Sequence, residues 1–202
     1  MKHRVLEGCF LVFTIVILGA IFFPLFTRHR EPRKNSCMSN LKQISLSIIM
    51  YSQDYDDKLP PAIFPGKTVG WVNGVQPYLM STQIFQCPSE NNFPSKTAPN
   101  QPGFTDYWMN RNVSGIDIEK IPVPKEVIIL GDGDGNSPES TASYAINKLP
   151  ASWLQSSDSP AKRHLGGANY AFADGHVKWL KPEDITQKRP QKDNDIYTFR
   201  VK

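Results

Sequence analysis

Residues 8–27 read GCFLVFTIVILGAIFFPLFT, twenty positions without an Asp, Glu, Lys, Arg or His. At a rise of about 1.5 Å per residue, a helix of that length covers ~30 Å, the thickness of a bilayer's hydrocarbon core. The run is apolar on every face, and a helix satisfies its own backbone hydrogen bonds in lipid, so the stretch predicts a single membrane span. A cleaved signal would need small residues after a shorter apolar core; Leu18-Gly19-Ala20 is a poor match and the run continues past it. Leu6-Glu7-Gly8-Cys9 has the outline of a lipoprotein box but precedes the apolar core instead of following it. The chain therefore divides into a stub, span and basic flank over residues 1–34 and a second domain over 35–202.

Charge follows the same division. The formal net charge is +4. Residues 1–34 carry six Lys or Arg against two acids, and the rest balances 17 against 17. A neutral domain lacks the basic face that phosphate backbones require, which argues against a nucleic-acid partner.

Beyond Pro32, which is expected to interrupt the helix, Leu41, Ile44, Ile48, Tyr51 and Tyr55 recur at spacings of three and four. They form one apolar stripe, with Lys42, Gln43, Ser47 and Asp54 turned away. The helix should end before Pro60-Pro61. Trp71, Val75, Tyr78, Leu79, Ile84 and Phe85 are core candidates, residues 91–102 read as a loop, and EVIIL at 126–130 reads as a short buried strand. In RHLGGANYAFADGHVKWL, residues 163–180, Tyr170, Phe172, Val177 and Trp179 flank Asp174-Gly175, the signal for a two-residue type I′ hairpin. The fold class that results is α+β: a long N-terminal helix packed on a small antiparallel sheet.

Residues 3–31, HRVLEGCFLVFTIVILGAIFFPLFTRHRE, line up without a gap against the start of type IV pilin-like proteins and pseudopilins. Leu6-Glu7 falls on that family's Ile-Glu pair. Residues 36–61 resemble the second half of the long pilin helix. His164, nine residues and then Asp174-Gly175 are similar to the H-x9-DG motif of the processing-associated pilin-like branch. The resemblance implies a short cytoplasmic N-terminus, an extracytoplasmic C-terminal domain at the cell membrane, and assembly through the N-terminal helix, with Glu7 pairing to a neighbouring subunit. That orientation runs against the basic residues following the span, although a long domain translocates despite flanking charge. One position departs from the family: Lys2 stands where prepilin peptidase needs glycine, so an uncut N-terminus is expected.

An exported domain with two cysteines implies a Cys37–Cys87 disulfide, Cys9 remaining reduced. Some pseudopilins bind calcium in a loop near the sheet, and DGDGN offers oxygens from Asp132, Asp134 and Asn136 at alternate positions. Ser137 and Ser143 then stand where an EF-hand loop needs glycine and a bidentate acid. A Gly/Asp turn leaving the strand is the competing reading, and calcium is the one cofactor candidate. His164 is either a ligand or a structural hydrogen-bonding group. No GxSxG, HExxH, phosphate loop or Cys-x-x-Cys is present, and no convergent nucleophile and base can be assembled, so the chain reads as a non-enzyme. Two functions remain: a structural pilin-like subunit, such as a minor component of a type II secretion or type IV pilus-like assembly, and a monomeric membrane-tethered binding module.

Overall fold

The computed structural model describes residues 13–14, 16–19, 31–91, 93, 97–186, 188 and 197–201. The chain forms two compact units, Met1–Asn35 and Ser36–Lys202. In the first, residues 13–14 and 16–19 are helical.

The expected membrane span and single-pass placement are corrected here. Among the described residues no helix is long and apolar enough to cross a membrane, and most of residues 8–27, with Lys2 and Glu7, lies outside them. The long helix that is described, α1 (Glu31–Asp54), carries Glu31, Arg33, Lys34, Lys42 and Asp54, charges that a hydrocarbon core disfavours strongly. Pro32 is the second described residue of α1 and does not interrupt it.

What α1 does is cover a sheet. Leu41, Ile44 and Ile48 are fully buried and Tyr51 nearly so, the stripe expected from their spacing. Tyr55 lies beyond the helix end, half exposed, stacked on Tyr51 with ring centroids 4.2 Å apart. Ser47 differs from expectation: it is buried, and its hydroxyl donates to the Ile44 carbonyl at 2.7 Å. A back-bond of this kind satisfies a polar group on a helix's inner face. The chain leaves α1 through Asp56 and Asp57, both at positive φ (51° and 58°).

The sheet is also corrected. It has five strands and is mixed, in the order β3-β1-β2-β4-β5: β1 (Tyr107–Asn110), β2 (Ile128–Asp132), β3 (Ala145–Ile146), β4 (Ala168–Phe172) and β5 (Val177–Leu180). All neighbours are antiparallel except β1 and β3, which run parallel. A two-residue parallel edge strand has no alternation to read, which is why sequence periodicity misses it. β1, β2 and β4 are buried at every position, because the sheet is covered on both sides. One core joins α1 to Trp71, Phe85, Met109, Ile129 and Ala171; the other gathers Trp108, Ile128, Tyr170, Phe172 and Phe199. Two further short helices, α2 (Trp71–Val75) and α3 (Ala151–Gln155), and a parallel pair, β6 (Ile185–Thr186) and β7 (Tyr197–Thr198), complete the unit. The strand read as EVIIL begins two residues later than expected and runs on through Gly131. A Cβ there would lie 2.4 Å from Trp108 Cζ2 and 2.8 Å from Tyr170 Cδ1, so the glycine makes room for two rings.

Candidate functional site

The nine-residue spacing between His164 and Asp174 is the length of one strand with its two turns. β4 lies between them, so the motif's ends sit at opposite ends of that strand and cannot form one site.

At the Asp174-Gly175 end, Gly175 has φ +84° while Asp174 does not take positive φ. The Gly175 N–H donates to the Phe172 carbonyl (2.8 Å), and the Phe172 N–H donates to the His176 carbonyl (3.0 Å). This is a three-residue loop closed by a left-handed glycine, not the expected type I′ turn, which needs positive φ at two successive residues. Asp174 Oδ1 accepts the His176 N–H and lies 2.6 Å from its Nδ1. Gly175 is the seat of the helix: its carbonyl accepts from Lys42 Nζ (2.6 Å), and a Cβ in its place would meet Ile49 Cδ1 at 2.7 Å.

The type I′ geometry occurs instead at the other end. His164 and Gly167 pair as a bridge, and between them Leu165 and Gly166 have φ +58° and +83°. The His164 N–H donates to the Gly167 carbonyl (2.8 Å), and the His164 carbonyl accepts from Trp179 Nε1 (2.7 Å). A leucine in this region is strained, at roughly 1–2 kcal/mol, and the turn it allows aims the His164 ring inward.

There His164 meets the sulfur pair. Cys37 on α1 and Cys87 form the expected disulfide, both residues fully buried. Closing the 50-residue separation contributes about 4 kcal/mol in the chain-entropy model. His164 Nε2 lies 3.7 Å from Cys87 Sγ and 3.3 Å from Asp132 Oδ2, with both side chains almost wholly buried. Asp132 ends β2; Oδ2 accepts the Asn169 N–H at 2.6 Å, while Oδ1 has no hydrogen-bond partner among the described residues.

A second carboxylate, Asp106, immediately precedes β1. Asp106 Oδ2 accepts the Cys87 N–H at 2.6 Å, and its Oδ1 has no partner among the described residues. Burial pushes the Asp106 carboxyl up to about 7, with Glu90 and Asp132 adding to the rise and the Cys87 N–H and Arg163 opposing it. Arg163 pairs with Glu90 and donates to the Gly133 carbonyl (2.8 Å). Burial, then the Asp132 charge, raises the Tyr170 phenol far above its ordinary value, so it stays neutral.

The structure thus joins Cys37, Cys87, His164 and Asp132, and leaves Asp174 and Gly175 a strand away. The residues considered for calcium separate: Asp132 turns inward to His164 and Asn169, whereas Asp134 Oδ1 accepts the Asn136 N–H (2.9 Å) in an exposed turn. Asp106, Glu90 and Arg163 carry no sequence signal of their own, since single charged residues beside turns read as surface positions.

Residues 27–85 match the model of a family described as a protein of unknown function (DUF1559). The match takes in α1 and Cys37 and stops two residues before Cys87; His164, Asp174 and Gly175 lie outside it. No curated protein and no solved structure matches the chain.

Proposed function

We propose that the chain is a structural, non-catalytic pilin-like subunit of the H-x9-DG kind, which assembles with other such subunits through its apolar N-terminal segment, as in pilus-like or secretion assemblies. The observation that carries this reading is the exposure of helical Phe13, Val16, Ile17 and Leu18, at 63%, 62%, 41% and 53%. Burying each such side chain fully is worth roughly 1.5–3 kcal/mol, so four of them exposed on helical residues call for a covering partner. The match over residues 27–85 supports treating α1 and what precedes the sheet as a shared module. Non-catalytic character is supported by His164, whose ring is buried beside the disulfide and Asp132.

Cross-linking of the full chain at native abundance tests the reading. A ladder is expected, and a Val16→Asp/Leu18→Asp variant should collapse it to one band. A lone band from the unaltered chain would sink the proposal and leave the monomeric binding module in its place.

A further inference from the structure

A disulfide needs neither an imidazole nor a carboxylate beside it, yet this one has both, buried. Burying a carboxylate costs several kcal/mol unless its oxygens are engaged, and Asp132 Oδ1 has no partner among the described residues. One donor atom each from Cys37, Cys87 and His164 lies within 4.8 Å of the others. We propose that in its reduced form this centre is a zinc site, ligated by Cys37 Sγ, Cys87 Sγ and His164 Nε2, with the Asp132 carboxylate beside the imidazole as the nearby countercharge.

The distance from His164 to Cys87 fits. Tetrahedral zinc with bonds of about 2.0–2.3 Å sets neighbouring S and N ligands about 3.6 Å apart. His164 Nε2 stands 3.3 Å from Asp132 Oδ2 and 3.7 Å from Cys87 Sγ. The two sulfurs are bonded to each other, and reduction itself separates them: non-bonded sulfurs move apart toward the roughly 3.7 Å that a tetrahedron with zinc–sulfur bonds of about 2.3 Å needs.

The chemistry balances with a thiol or phosphine reductant. A phosphine and one water give two thiols and the phosphine oxide. Zinc then displaces both thiol protons, and the imidazole proton resides on Nδ1. Disulfide and metal exclude each other, so the centre joins α1 to Cys87 in either redox condition by different bonds. A donor set of two sulfurs and a nitrogen favours zinc over the oxygen-seeking calcium and magnesium.

The test uses the full chain, oxidised or reduced with a phosphine under anaerobic conditions, titrated with Co2+ and then Zn2+. Reduced protein should take up one cobalt per chain, with the ligand-field bands of a tetrahedral site and sulfur-to-metal charge transfer, and zinc should bleach both. Oxidised protein should show neither. His164→Gln should weaken binding by more than roughly 100-fold, beyond what loss of an outer partner of a ligand costs; unchanged affinity overturns the assignment. Absence of a tetrahedral cobalt spectrum in folded, reduced protein also overturns it. Should reduction unfold the chain, stoichiometric zinc is expected to restore its near-ultraviolet circular dichroism, and a chain left unfolded by zinc overturns the proposal.

Discussion

Asp106→Asn should change how stability depends on pH more than it changes stability itself. In the folded chain the Asp106 carboxyl is pushed from 3.8 up to about 7, mainly by burial. Between those values the native state holds a proton that the unfolded chain has released. Stability therefore falls as pH rises from about 4 to about 7, and the contribution of the protonated group is lost above that. Three units at about 1.36 kcal/mol each bound the effect at about 4 kcal/mol, a large part of a small domain's total of roughly 5–15 kcal/mol. Asparagine imitates the neutral acid. Its carbonyl can accept the Cys87 N–H as Asp106 Oδ2 does, while its amide group faces the position of the unpartnered Oδ1. The second change adds a constant offset of about 1–3 kcal/mol at every pH and leaves the slope to report titration. Urea unfolding of both proteins, disulfide intact and ionic strength fixed, at several values between pH 4.5 and pH 8.5 gives the comparison. The variant should gain on the parent by about 3 kcal/mol as pH rises across that range, because the roughly 2.5 units between pH 4.5 and about 7 each carry about 1.36 kcal/mol. Parallel stability curves for the two proteins would refute the reasoning.

Two further changes test the turns at the ends of β4. Gly175→Ala places a Cβ at φ +84° and against Ile49 Cδ1. It should lower the unfolding free energy by about 1–2 kcal/mol, with Ile49→Ala in the same chain relieving only the steric part when the double-mutant cycle is measured by thermal or urea unfolding. Leu165→Asn replaces an exposed leucine at φ +58° with a residue that tolerates the first position of a type I′ turn. It should raise the melting temperature, corresponding to about 0.5–1 kcal/mol, and an unchanged or lower midpoint would contradict the strain assigned to that position.

The sequence by itself determined the elements whose information is local. The spacing of Leu41, Ile44, Ile48 and Tyr51 sufficed for the buried face of α1, because a period between three and four leaves no other surface on which they coincide. Two cysteines in the second domain sufficed for their pairing, and the residues around Asp174-Gly175 marked a strand reversal there. The turn type was not legible, because Asp-Gly suits both a two-residue and a three-residue loop, and the loop that forms is docked against Lys42 and Ile49 of α1, about 130 residues earlier. Nor was the mixed sheet, since β3 is two residues long and its pairing with β1 is non-local. The site shows the same division. His164 and Asp132 each stood out in the sequence, one for its spacing to Asp174 and the other as an oxygen donor, but nothing local links them. Their meeting is decided by the register of β2 on β4, in which Gly131 pairs with Tyr170 and Asp132 is brought to the Asn169 N–H. Asp106 had no signal at all: an acid before an aromatic strand reads as an exposed turn, and only the layers closing over both faces of the sheet bury it beside the disulfide, where loss of water raises its proton affinity.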